Sequence, residues 1–197
     1  MSKLQGRMTT EKYRATDLSL FAIILIVFET VLVRAATQWF PMEAWTVSAV
    51  AAITAIVMVR WGAFAAIHAV IGGIVYVTVS RGSGSQYVIY CIGNLAGLAV
   101  LPLLKKWGWQ KLHENVLANF LYGALTLLGM QVGRGLLSLA FGASPAGALA
   151  FITTDVISYI FTLVILWITA RLDGMLEDQK HYLKRLNEQQ DREGGFQ

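Results

Sequence analysis

Residues 129–159 have the sequence GMQVGRGLLSLAFGASPAGALAFITTDVISY, the pattern of two long apolar helices joined by a tight turn at residues 142–145. Arg134 lies in the first helix and Asp155 in the second. An ionisable side chain in hydrocarbon costs roughly 2.5–3.5 kcal/mol, so it normally faces a partner or a wet cavity. Counted from the shared turn at about 1.5 Å per residue, both charges lie roughly 10–13 Å below the same membrane face. The spacing therefore predicts that they meet at one depth.

The composition is typical of a membrane protein that crosses the bilayer several times. Of the 197 residues, 56% are hydrophobic and 14% charged, and the mean hydropathy is +0.56. We predict an all-α fold with one six-helix transmembrane domain over residues 17–170, a cytoplasmic N-terminal tail over 1–16 and a cytoplasmic tail over 171–197. Asp17 is the expected N-cap of the first span. The predicted spans are 18–37, 44–59, 62–80, 87–104, 116–141 and 146–170.

The C-terminal tail carries a second apolar pattern. Four leucines fall close to one helical face, with Lys and Glu elsewhere, which predicts an amphipathic helix that lies on the membrane or on a partner. These leucines are Leu172, Leu176, Leu183 and Leu186.

The distribution of Lys and Arg predicts the orientation. All but three of the 16 fall in the two tails or in the connections after spans 2 and 4, and the exceptions are Arg34, Arg81 and Arg134. Because cytoplasmic segments carry the excess of positive charge, we expect both termini to lie in the cytoplasm of a bacterial cell. The same placement at helix ends argues against nucleic-acid binding.

With this orientation, the polar residues inside the spans concentrate in one layer on the extracellular side, whereas the inner half is apolar except for His68. A channel would string polar groups through the whole thickness of the membrane. A layer on one side instead indicates a cavity that captures an extracellular ligand. The candidate binding residues are Glu29, Arg34, Tyr87, Tyr90, Asn94, Gln131, Arg134, Asp155 and Tyr159.

Structural explanations stay open for the charged candidates. Arg134 and Asp155 could be an ion pair that only locks two helices. Glu29 could be protonated, or paired with a basic residue for packing alone. Arg34 is shallower than Glu29 and could extend its side chain to the membrane surface.

The uncharged candidates have structural explanations too. Tyr87 and Tyr90 could be ordinary interfacial aromatic residues. Asn94 lies within the GxxxG spacing of residues 93–97, which permits close helix approach, so its amide could join two helices. His68 has the pattern of a packed core histidine.

Other chemistries find little support in the sequence. There is no Gly-rich phosphate loop, so we expect no ATPase in this chain. Three scattered histidines and the single Cys91 offer no metal-ligand run and no internal disulfide, so we expect no metal and no cofactor. We expect no enzyme activity, since a membrane-embedded enzyme would have to work with Glu29, Asp155 and His68.

Two segments carry a resemblance to a known family. The sequence RWGAFAAIHAVIGG at residues 60–73 and GNLAG at 93–97, together with six predicted spans and a basic N-terminal tail, resemble the substrate-binding S component of energy-coupling-factor (ECF) transporters. The resemblance covers roughly residues 15–170. It implies bacterial uptake of a vitamin-like micronutrient through a ligand pocket formed by spans 4–6 and the outer loops.

The resemblance also implies partners, namely a transmembrane coupling protein and ATPase subunits. Span 1 departs from the family, because the AxxxA pattern that docks many members on the coupling protein is absent. Two alternatives follow: a docking surface elsewhere, such as span 3, which is rich in small residues, or an unusual coupling partner. The alternative is an interaction scaffold similar to the six-spanning, rod-shape-determining MreD proteins, which have no need of a polar cavity.

Overall fold

The computed structural model describes residues 9–39 and 47–194, with side chains through residue 189. Within these ranges all regular elements are helical, which confirms the all-α prediction, while predictions for residues 1–8, 40–46 and 195–197 lie outside them. The helices are α1 (Thr10–Trp39), α2 (Val50–Trp61), α3 (Ala65–Val79), α4 (Gly84–Asn94), α5 (Leu101–Trp107), α6 (Trp109–Glu114), α7 (Val116–Ala140), α8 (Pro145–Thr153), α9 (Val156–Thr169) and α10 (Gln179–Gly194).

Five helical stretches are long and apolar enough to cross a membrane, which agrees with a multi-pass membrane protein. These stretches are Thr10–Trp39, Val50–Val79, Gly84–Trp107, Val116–Ala140 and Pro145–Thr169. Large apolar side chains are exposed along α1, where Ile23, Val27 and Val31 recur every four residues. A continuous apolar face of this kind suits contact with lipid.

The second stretch folds back on itself at Gly62, whose φ is 62°. A Cβ on Gly72 would lie 2.5 Å from the Val50 side chain, although the two residues would be about 33 Å apart in one straight helix. α2 therefore packs against α3. With its 12 residues all buried, α2 is about 18 Å long, shorter than a bilayer core. Six spans thus remain a prediction.

Small residues bring α4 and α7 into backbone contact. A Cβ on Gly93 would lie 2.7 Å from the Arg134 backbone nitrogen, and one on Gly133 would lie 2.7 Å from Ala96 Cβ and meet the Gly93 carbonyl. The close approach that the GxxxG spacing predicts is thus made to α7. It places Asn94 beside Arg134.

Gly93→Ala is expected to lower the free energy of unfolding by about 1–3 kcal/mol, because the added methyl group meets backbone atoms that cannot give way. Chemical unfolding in detergent micelles measures the change. Gly84→Ala on the same helix is the control, since a Cβ there meets nothing within 4 Å, and it should alter stability by less than about 0.5 kcal/mol. Equal stability of the two variants would contradict the backbone contact.

The predicted continuous helix over residues 146–170 is interrupted. α8 ends at Thr153 and α9 begins at Val156, with Asp155 between them at φ −101° and ψ 23°. The Thr154 hydroxyl donates to the Ala150 carbonyl at 2.7 Å, and such side-chain bonds compete with the helical ladder. Similarly, α4 gives way to a 3₁₀ segment (Leu95–Val100) directly after Asn94. Both irregularities lie next to predicted site residues.

At the end of the bundle opposite the predicted site residues, a buried ion pair between Arg60 and Asp17 holds the helices together. Asp17 is not an N-cap, because α1 begins seven residues earlier at Thr10. Arg60 instead donates from Nε and NH2 to the two Asp17 carboxylate oxygens, at 2.8 and 2.6 Å. Its NH1 donates to the Gly174 and Met175 carbonyls at 2.7 and 2.9 Å. One guanidinium therefore joins α1, α2 and the segment before α10.

The C-terminal tail is helical only from Gln179, so the predicted leucine face does not form one continuous stripe. Leu172 and Leu176 precede the helix, and Leu176 is fully buried whereas Leu172 is exposed. His68 is buried too, with Nε2 3.0 Å from the Leu18 carbonyl oxygen. His68 is therefore a packed core histidine, as its sequence context indicates.

Candidate functional site

Arg134 and Asp155 do meet at one depth, as the count from their shared turn predicts. Arg134 NH1 lies 3.8 Å from Asp155 Oδ2, and both side chains are almost completely buried. This separation exceeds the 2.7–2.9 Å usual for a charge-assisted hydrogen bond. The two groups are thus close enough to interact electrostatically but do not form a bidentate pair.

Asp155 is held by uncharged neighbours on two helices. Gln131 Nε2 on α7 donates to Asp155 Oδ2 at 3.0 Å, and the Ser158 hydroxyl on α9 donates to Asp155 Oδ1. The Tyr159 hydroxyl donates to Gln131 Oε1 at 2.7 Å. The interruption between α8 and α9 therefore fixes the carboxylate at the head of α9 and within reach of α7.

Arg134 is positioned from its other side by α4. Its Nε donates to Asn94 Oδ1 at 2.7 Å, and Asn94 Nδ2 donates to the Ala69 carbonyl on α3 at 2.9 Å. The guanidinium carbon lies 4.8 Å from the centre of the Tyr90 ring, a cation–π distance. Among the described residues, the Asn94 contact is the only hydrogen bond of this guanidinium. Its NH1 and NH2 groups thus retain donors.

Glu29 joins the same layer through α2. Its carboxylate accepts from the Ser48 hydroxyl at 2.8 Å and from the Ala49 backbone N–H at 2.7 Å. The Ser48 backbone N–H in turn donates to Ser158 Oγ at 3.0 Å. Glu29 is fully buried and stabilises the N-terminus of α2, where a negative group is favoured. Its contacts are those of a structural residue at the rim of the network.

A cavity of about 150 Å³ opens beside this network. Three aromatic rings form one side: Tyr76 stacks on Tyr90 with centroids 4.5 Å apart, and Phe151 meets Tyr90 edge-on at 5.9 Å. Arg134 and Asp155 supply charge on the wall. The complete lining is Ser48, Tyr76, Tyr90, Arg134, Gly147, Ala150, Phe151, Thr154 and Asp155.

The predicted site residues separate into three groups. Tyr90, Arg134 and Asp155 line the cavity. A second set stands behind the wall and supports it through hydrogen bonds: Glu29, Asn94, Gln131 and Tyr159.

Two predicted residues lie apart from the cluster. Arg34 is exposed on α1, where a shallow arginine that extends to the surface is expected. The Tyr87 hydroxyl lies 3.0 Å from Thr78 Oγ1 on the neighbouring helix, and Tyr87 does not line the cavity. Its position on the stripe with Tyr90 therefore does not bring it into the site.

Six lining residues were absent from the predicted set: Ser48, Tyr76, Gly147, Ala150, Phe151 and Thr154. Phe151 is four residues before Asp155 and could have been found by helical spacing. Tyr76 pairs with Tyr90 only because α3 and α4 pack together, and Ser48 precedes α2 in a segment without periodicity. None of these residues carries a charge, so none of them stands out as a charged residue within an apolar run.

The chemistry on the cavity wall is that of recognition. Arg134 offers a planar fork of donors, and the tyrosine and phenylalanine rings offer apolar faces. Among the described residues, no group of three or more His, Cys, Asp or Glu side chains is arranged to hold a metal ion. Comparisons with family models, curated proteins and solved structures gave no match.

Proposed function

We propose that this chain is the membrane-embedded substrate-capture subunit of an ECF-type importer, which binds a vitamin-like or other small micronutrient from the extracellular side. The observation that carries the proposal is a buried arginine on the wall of a cavity in an apolar helical bundle, whose guanidinium has a single hydrogen bond within the part of the chain that the structure describes. Helices that are interrupted near the middle of the membrane commonly form binding sites in transporters.

Two arginines are buried among the described residues, and the difference between them supports a binding role for one. The Arg60 guanidinium donates hydrogen bonds to Asp17 and to two backbone carbonyl groups, all at 2.6–2.9 Å. Arg134 is equally buried but has one hydrogen bond and a carboxylate at 3.8 Å. A purely structural clamp would resemble the Arg60 site. The geometry of Arg134 favours a guanidinium that is completed by a ligand.

The proposal includes six crossings of a bacterial cell membrane, both termini in the cytoplasm, and a cavity that opens outwards. Because the sequence contains no phosphate-binding loop, transport needs ATPase subunits joined through a transmembrane coupling protein. The small residues of α3 pack inside the bundle, where Gly72 meets Val50 and Gly73 meets α4. With AxxxA absent from span 1, the proposed coupling surface is therefore the exposed outer face of α3, which carries Ile67 and Ile74.

Retention of a small molecule tests the capture function. The purified full-length protein is soaked with a metabolite mixture, washed, and analysed by mass spectrometry for bound compounds. We expect one compound, or one chemical class, at close to one molecule per chain. Ala150→Leu fills the cavity and should abolish retention, whereas Tyr87→Phe, outside the cavity, should not.

The absence of a retained compound would contradict capture, especially if a cell-wall protein co-purifies instead, because that result is expected of an MreD-like scaffold. A compound retained equally by Ala150→Leu would place the site elsewhere.

A further inference from the structure

We infer that the ligand of this cavity is a small carboxylate with a flat, apolar body. This inference rests on the proposed capture function and narrows it to a chemical class. It depends on three observations: the donors of Arg134, the occupied acceptors of Asp155, and the shape of the aromatic wall.

The charge of the ligand follows from the donors on the wall. Arg134 lines the cavity, and its Nε donates to Asn94 at 2.7 Å, so among the described residues NH1 and NH2 have no hydrogen-bond acceptor. A guanidinium fork matches a carboxylate through two parallel hydrogen bonds. Burial without such an acceptor is costly for a cation. A ligand carboxylate would supply the missing bonds.

Asp155 is a weaker anchor for a cationic ligand. Its two oxygens already accept hydrogen bonds from Gln131 and Ser158, and Arg134 NH1 lies 3.8 Å from Oδ2. An ammonium group would therefore have to compete with existing hydrogen bonds, and it would lie close to the guanidinium. The same hydrogen bonds hold Asp155 in place when a ligand carboxylate binds Arg134.

The body of the ligand follows from the aromatic wall. The Tyr76 and Tyr90 rings stack at 22° between planes, and Phe151 stands edge-on to Tyr90 at 64°. Tyr76 and the Arg134 guanidinium pack against the Tyr90 ring, so a planar ligand body would contact the edge of Tyr90 and the rings of Tyr76 and Phe151. A volume of about 150 Å³ corresponds to a cavity that holds benzene. One ring or a compact chain with a carboxylate fits.

Three aromatic probes of similar size, one anionic, one neutral and one cationic, test the charge of the ligand. Isothermal titration calorimetry on the full-length protein in lipid nanodiscs compares benzoate with benzamide and benzylamine. We expect benzoate to bind about 10- to 100-fold more tightly than either, the usual worth of hydrogen bonds to charged groups. Equal or tighter binding of benzamide or benzylamine would overturn the assignment, and so would the absence of benzoate binding at millimolar concentration.

Two variants locate the benzoate. Arg134→Lys keeps the charge and removes the fork, and it should weaken benzoate binding about tenfold. Ala150→Leu leaves Arg134 intact and should abolish binding by occupying the cavity. Circular dichroism and gel filtration check that both variants are folded. Unchanged affinity in either folded variant overturns the assignment.

The identity of the retained metabolite distinguishes this inference from the capture function beneath it. A retained cation or neutral compound would refute the carboxylate and leave capture standing. Retention of no compound would refute capture itself.

Discussion

Replacement of Arg60 with alanine is expected to lower the free energy of unfolding by about 3–5 kcal/mol, the usual effect of breaking a buried ion pair from one side. The variant leaves the Asp17 carboxylate buried without its charged partner. It also removes the donors to the Gly174 and Met175 carbonyls, so the segment before α10 should detach. Chemical unfolding measures the loss, and limited proteolysis after residue 170 reports the detachment.

Arg34→Ala is the matched control for Arg60→Ala, because Arg34 is an arginine on α1 that is exposed. Its effect should stay below about 0.5 kcal/mol. The double variant Asp17→Leu with Arg60→Leu should be more stable than Arg60→Ala, since it leaves no unpaired buried charge. Wild-type stability of Arg60→Ala would contradict the network at this end of the bundle.

Arg134→Ala is expected to act on binding. If Arg134 holds a ligand anion, its removal should weaken binding by about 2–5 kcal/mol, the usual penalty for removing one partner of a buried charge pair. The loss of stability should be smaller than in Arg60→Ala, because among the described residues Arg134 makes one hydrogen bond, a 3.8 Å contact with Asp155 and a cation–π contact with Tyr90, whereas Arg60 makes four hydrogen bonds. Calorimetry with the retained compound measures affinity, and thermal unfolding of the same sample measures stability.

The two arginine variants should affect different quantities, one mainly stability and the other mainly ligand affinity. Arg60→Ala should reduce stability and leave the affinity of each folded molecule unchanged, whereas Arg134→Ala should weaken affinity with a smaller loss of stability. Tyr87→Phe, which changes only a contact with Thr78, should alter neither quantity. A lower melting temperature of Arg134→Ala with full affinity would identify the Arg134–Asp155 pair as a clamp.

The features that the sequence predicts well are those fixed by local periodicity. Apolar runs of about 20 residues indicate helical stretches long enough to cross a membrane, and a tight turn of known position sets how far residues on either side lie from it. For this reason Arg134 and Asp155 could be placed together by counting alone. Gly93 could be assigned to a close helix contact because only small residues allow one.

Features that depend on the partner of a side chain could not be predicted. Asp17 has the pattern of an N-cap, but Arg60 lies 43 positions along the chain and captures it. The interruption between α8 and α9 has no proline or glycine to mark it in the sequence, and the bond from the Thr154 hydroxyl to the Ala150 carbonyl is of a kind that also occurs in the continuous helix α7. Helical periodicity also assigns residues such as Tyr87 to one face of a helix, but it does not predict how far along that face the neighbouring helix extends.

The ligand affinity of the double variant Arg134→Leu with Asp155→Leu tests the central claim most directly. Replacement of a buried pair by apolar residues of similar size is often neutral or stabilising, so the variant should remain folded. The proposed site predicts a folded protein that no longer retains the compound bound by the wild type. A stable double variant with intact binding would show that this cavity is not the ligand site.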